Sequence, residues 1–142
     1  GVMIAAVFAS ATADTLSSEL GNVYGKRFYN VRTFKKDTKG LNGVISLEGT
    51  VAGLVGSILI ALIYIVGFGW NTILFTIIIV AGTLGNLFDS LLGATLERKG
   101  KLHNNGVNFL NTAIAALAAF LFYLIFLLII IDKAFDQLGR DL

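Results

Sequence analysis

The 142-residue chain is 56% hydrophobic and 14% charged, carries a net charge of +2, and contains runs such as "FLFYLIFLLIII". That much apolar sequence exceeds what a soluble domain of this size buries, so the composition excludes a soluble enzyme and marks a membrane protein. With no Cys there is no disulfide framework, metal-thiolate site or thiol nucleophile.

A hydrocarbon core takes about 20 mostly apolar residues per helix. Residues 1–20 form the first such segment and end in "ATADTLSSELG". The segment opens on Gly1, without the basic start and cleavage pattern of a signal peptide, and reads as a fragment or processed chain that lacks upstream helices. Residues 22–45 follow, with Lys26, Arg27, Arg32, Lys35, Lys36 and Lys39. Loops beyond about 12–15 residues are usually functional or disordered, and a topology signal alone does not need one this long. "GNVYGK" within it is not a phosphate loop, because its spacing is one residue short and Arg27 stands where Ser or Thr is required.

The second segment, residues 47–67, begins in "GVISLEGTVAG", and its Gly49, Gly53 and Gly56 suit close helix packing. "GFGWN" connects it without charge to the third segment, 71–93, and places Trp70 in an interfacial belt. Arg98, Lys99 and Lys101 make the next loop basic, His103 reads as a solvated loop residue, the fourth segment is 107–131, and 132–142 is a tail. The Lys and Arg excess puts both basic loops in the cytoplasm.

The expected architecture is all-α: one polytopic transmembrane domain of about four helices over residues 1–142. "NGVISLEGTVAGL" from Asn42 aligns with "NGVNFLNTAIAAL" from Asn105, and "DTL" at Asp14 with "DSL" at Asp89. The chain therefore reads as two parallel helix, loop, helix repeats, 1–67 and 71–131, which would set Asp14 against Asp89 at the repeat interface.

The polar residues gather at one membrane face. Gly82, Asn86, Asp89, Gly93 and Glu97 recur every three or four residues and form one stripe of the third helix. A carboxylate within a bilayer costs at least about 2.5 kcal/mol and usually faces a bundle interior or a wet cavity. Asp14 and Asp89 are therefore candidate catalytic residues. A donor set of carboxylates and amides without His or Cys suits a hard cation such as Mg²⁺, with Asp14, Asp89 and Glu48 as its ligands. Lys26, Arg27, Arg32, Lys35, Lys36 and Lys39, with Asn42, Ser46, Glu48 and Thr50, are the expected nucleotide and phosphate contacts. Ser18, Glu19, Asn86, Glu97, Asn105, Asn108 and Asn111 form the polar shell. Such a cage serves phosphoryl or nucleotidyl transfer, where catalysis is mostly positioning and charge neutralisation.

"ATADTLSSELG", the basic loop, "NGVISLEGTVAG" and "GNLFDSLLGATLE" together resemble the integral-membrane family that includes the chloroplast phytyl-phosphate kinase of vitamin E synthesis and many prokaryotic homologues of unassigned function. The resemblance covers nearly the whole chain. A more distant similarity, over residues 13–54, is to the CTP-using dolichol and phytol kinases and cytidylyltransferases. It implies that Asp14 and Glu48 help bind the metal nucleotide and that Lys35, Lys36 and Lys39 meet its phosphates. The resulting expectation is a Mg²⁺-dependent isoprenyl-phosphate kinase moving a phosphoryl group from a nucleoside triphosphate, CTP foremost, to phytyl or geranylgeranyl monophosphate. The alternatives are a CTP:lipid-phosphate cytidylyltransferase and, from another class, a transporter with Asp14 and Asp89 as ion sites. The expected setting is a prokaryotic plasma membrane rather than a plastid envelope, with the lipid bilayer as partner, a homodimer as one possible assembly, and no nucleic acid.

Overall fold

The computed structural model describes residues 1–140. Four helices build it: α1 (Val2–Tyr24), α2 (Leu47–Phe68), α3 (Thr72–Leu92) and α4 (Asn104–Arg140). Three stretches, Leu47–Phe68, Thr72–Glu97 and Asn104–Ala134, are long and apolar enough to cross a membrane. The first helix, expected as a fourth span, is not among them. Ser10, Thr12, Asp14, Thr15, Ser17, Ser18 and Glu19 dilute its apolar surface, and it packs against α2, α3 and α4 together.

Local chemistry sets the helix starts. Ser46 caps α2 by accepting the Gly49 N–H, and Asn71 caps α3 by accepting from Ile73 and Leu74. The fourth helix runs past the expected boundary at 131 to Arg140, so most of the expected tail is helical, and residues 141–142 lie outside the described residues.

The long loop is not featureless. Tyr29–Asn30 (β1) and Val44–Ile45 (β2) pair antiparallel, Tyr29 opposite Ile45 and Asn30 opposite Val44. At the other polar connection, α3 passes directly into a π-helical turn, Gly93–Glu97. Such a turn adds a residue to the helical repeat and is frequent at functional sites.

One end of the bundle is an apolar core of Val2, Ala5, Ala6, Ala9, Ala61, Ile77, Ile78, Ala81 and Ala119. The polar end is held by backbone approach. A Cβ on Gly53 would stand 2.6 Å from Asn86 Nδ2 and 3.0 Å from the Ala13 carbonyl, and one on Gly49 2.6 Å from the Ser17 carbonyl. Any side chain there would push α2 away from α1.

Candidate functional site

A cavity of about 490 Å³ occupies the polar end. Helix α1 contributes Asp14, Ser17, Ser18 and Glu19; α3 contributes Thr83, Asn86, Asp89 and Ser90, with Glu97 from the π-turn; α4 contributes Asn104 and Asn108. The chain from Gly40 to Ser46, together with Gly49 and Thr50 at the start of α2, forms the remaining wall.

Asp14 and Asp89 come from different helices, yet both line this cavity, near enough for each carboxyl to feel the other's charge. Two carboxylates this close repel unless a proton or a cation lies between them. Asp89 is held from behind: Asn111 Nδ2 donates to Asp89 Oδ1 at 2.7 Å, and Ser10 Oγ donates to Asn111 Oδ1 at 3.3 Å. Asn111 is 1% exposed, so its amide has little freedom to turn away. On the neighbouring wall, Ser17 Oγ donates to Asn86 Oδ1 at 3.0 Å. Thr83 Oγ1 is buried, has no hydrogen-bond partner among the described residues, and belongs to the cavity wall.

Of the residues singled out in the sequence, Asp14, Ser18, Glu19, Asn42, Ser46, Thr50, Asn86, Asp89, Glu97 and Asn108 all line this cavity. Asn111 stands behind it, and Asn105 is not part of its wall.

Glu48 corrects the expected metal trio. Its neighbour Gly49 occupies the face of α2 turned to α1, which rotates Glu48 out of the cavity, and its Oε2 accepts from the Lys26 N–H at 3.4 Å. Among the described residues no group of three or more acidic or imidazole side chains is placed to hold a metal. The site offers a pair, Asp14 and Asp89.

The cations also stand apart. Lys26, Arg27, Arg32, Lys35, Lys36 and Lys39 are exposed and none lines the cavity. The β1–β2 pairing turns the Gly40–Ser46 backbone toward the site and leaves the basic side chains outside. Arg98 fastens this cover, with Nε donating to the Asn42 carbonyl at 2.6 Å and Nη1 2.8 Å from Asp37 Oδ2. Gly43, at φ 71°, lies directly against Ala94 of the π-turn. The sequence reading missed Ser10, Ser17 and Arg98. Ser10 and Ser17 fall at helical spacing around Asp14 and could have been found by extending its stripe; nothing local distinguishes Arg98 from its basic neighbours.

Fold and site together define an integral membrane protein with an acidic and amide-rich cavity at one end of its helices. The chain belongs to the family described as integral membrane protein DUF92, whose model matches residues 1–116. It is 41% identical over 119 residues to an uncharacterised membrane protein of Methanocaldococcus jannaschii, covering 81% of this chain and 48% of that one. It is 36% identical over 120 residues to the chloroplastic protein VTE6 of Arabidopsis thaliana, covering 80% and 35%, and 35% identical over 118 residues to an uncharacterised membrane protein of Synechocystis, covering 80% and 45%. The chain thus spans less than half the length of these relatives. No solved structure matches it.

Proposed function

We propose that this chain forms the metal-nucleotide end of an isoprenyl-phosphate kinase, which transfers a phosphoryl group from a nucleoside triphosphate, CTP by preference, to a lipid monophosphate such as phytyl or geranylgeranyl phosphate. The observation that carries the reading is the close pair of carboxyls on α1 and α3, Asp14 and Asp89, set in a cavity among membrane-spanning helices. The similarity to VTE6 and the resemblance to the phytyl-phosphate kinase family supply the lipid-phosphate acceptor.

The donor set fits Mg²⁺, which commonly takes one or two carboxylates and leaves its remaining positions to water and phosphate oxygens. Asp14 and Asp89 would hold it, and the ion would neutralise charge on the transferring group. Asn111 fixes the orientation of Asp89, and Asn86 keeps Ser17 at the wall. A lipid monophosphate is already anionic, so the transfer demands no strong general base. The two-repeat architecture belongs to the same proposal, with Asp14 and Asp89 as corresponding residues, as does the cytoplasmic placement of the basic loops.

Thermal unfolding of the purified chain in detergent, with Mg²⁺ and CTP, ATP or no nucleotide, tests the reading. Mg²⁺-dependent stabilisation by CTP, lost in Asp14→Asn and in Asp89→Asn, is the expected result. Absence of stabilisation by any nucleotide, from folded protein, overturns it.

A further inference from the structure

The turn at the tip of the long loop is built rather than slack. Asn30, buried, accepts at Oδ1 from the N–H groups of Arg32 at 3.0 Å and Thr33 at 3.2 Å. Its backbone accepts from Phe34 at 2.8 Å and donates to Lys35 at 2.9 Å. These bonds hold Phe34 at φ 54°, the one positive φ outside glycine among the described residues, a conformation that strains a bulky residue.

The strain is not repaid by packing within the chain, because Phe34 is 79% exposed. Arg32, Lys35 and Lys36 beside it are exposed too. The nearest carboxylate in sequence, Asp37, is already taken by Asn30 and Arg98. The result is an aromatic ring within a collar of cations that have no carboxylate partner among the described residues, on residues that do not line the cavity. The loop leaves α1 at Tyr24 and enters the span of α2 at Leu47, while Arg98 ties it to the end of α3. Its tip is thereby tethered at the bilayer surface, where an aromatic ring settles among headgroups and each Lys or Arg is attracted to anionic lipid.

We propose that the Arg32–Lys36 turn is a membrane-surface anchor, in which the Phe34 ring inserts into the interface and Arg32, Lys35 and Lys36 hold the phosphates of anionic lipids. The anchor is separate from the cavity and does not depend on the chemistry performed there.

The sequence contains a single Trp, Trp70, so Trp70→Phe combined with Phe34→Trp places one indole at the tip. The protein is reconstituted in nanodiscs of phosphatidylcholine, with or without phosphatidylglycerol, each prepared with and without brominated acyl chains. The expected result is about twofold stronger quenching by brominated lipid in the anionic discs, lost when Arg32→Gln, Lys35→Gln and Lys36→Gln are added. Equal quenching in both lipids, or an indole reached by aqueous acrylamide and untouched by brominated lipid, overturns the proposal. So does an emission that responds to nucleoside triphosphate or inorganic phosphate and not to lipid composition, since the turn would then serve a soluble phosphate ligand. Phe34→Gly provides a second route that relaxes the backbone instead of loading it. It is expected to keep the thermal stability of the parent in phosphatidylcholine and to lose the added stability conferred by phosphatidylglycerol; retention of that gain overturns the role of the ring.

Discussion

The two ends of the helix bundle use small residues to opposite purposes. At the apolar end Ala6, Ala9, Ala61, Ala81 and Ala119 are fully buried around Ile78. Lipid chains are as apolar as these side chains, so the close fit contributes dispersion rather than a gain from leaving water. At the polar end Gly49, Gly53 and Gly85 allow an equally close approach, but the space between helices is filled by Ser10, Ser17, Asn86 and Asn111, linked to one another or to Asp89. The apolar end holds the bundle together with no polar obligation. The other end spends comparable packing on holding two carboxyls in each other's field.

Three substitutions sharpen that contrast. The largest effect is expected at Asp89. Asp89→Asn should remove the stabilisation by Mg²⁺ and nucleotide, worth about 2.7 kcal/mol at a hundredfold excess over Kd, and raise the stability of the ligand-free protein by about 1 kcal/mol as the repulsion with Asp14 disappears. Unfolding with and without ligand reads both; a ligand-free protein that is weakened would make Asp89 structural and erase the distinction between the ends. Gly85→Ala comes next, because its Cβ would stand 2.8 Å from Ser10 Cβ and 2.9 Å from the Asn111 carbonyl. A loss of about 2 kcal/mol is expected from overpacking, visible in the same unfolding experiment. Ile78→Val, at the apolar end, should cost about 1 kcal/mol and leave the nucleotide response intact, and a change in that response would show that the two ends are coupled.

Hydropathy made the spans legible: 47–67 and 71–93 were expected, and Leu47–Phe68 and Thr72–Leu92 are found. The first helix was harder. Its polar half is continuous helix to Tyr24 because those residues face the cavity and neighbouring backbones rather than lipid, a matter of packing that a hydropathy window does not see. The loop was read from its charges, and the charges proved to be its outer surface. The wall facing the cavity is made by Gly40–Ser46, whose position depends on a strand pair of two residues and on Arg98 meeting the Asn42 carbonyl. Neither leaves a periodic trace. Likewise, Asn111 was legible as a polar residue in an apolar helix, but its bond to Asp89 depends on how α3 and α4 are rotated against each other.

The smallest expected effect concerns that cover and lies outside the membrane. Asn30 Nδ2 donates to Asp37 at 3.1 Å, Thr38 N–H at 2.8 Å, and the Arg98 guanidinium sits beside it. In that order of importance these contacts hold the Asp37 carboxyl below its ordinary value of 3.8. A carboxyl lowered by folding stabilises the folded form above its ordinary value, and the contribution is lost as pH falls through the lower, folded value. The cover should therefore be tightest at neutral pH and loosen on acidification below 3.8, while the transmembrane helices stay formed. Amide exchange at Val31, whose N–H donates to the Gly43 carbonyl at 3.0 Å, measures this once corrected for the intrinsic rate. In Asp37→Asn the acid-dependent part should vanish, with exchange a few-fold faster at neutral pH. Exchange at Val31 that follows pH identically in Asp37→Asn would show that the strand pair, and not the Asp37–Arg98 contact, keeps the cover in place.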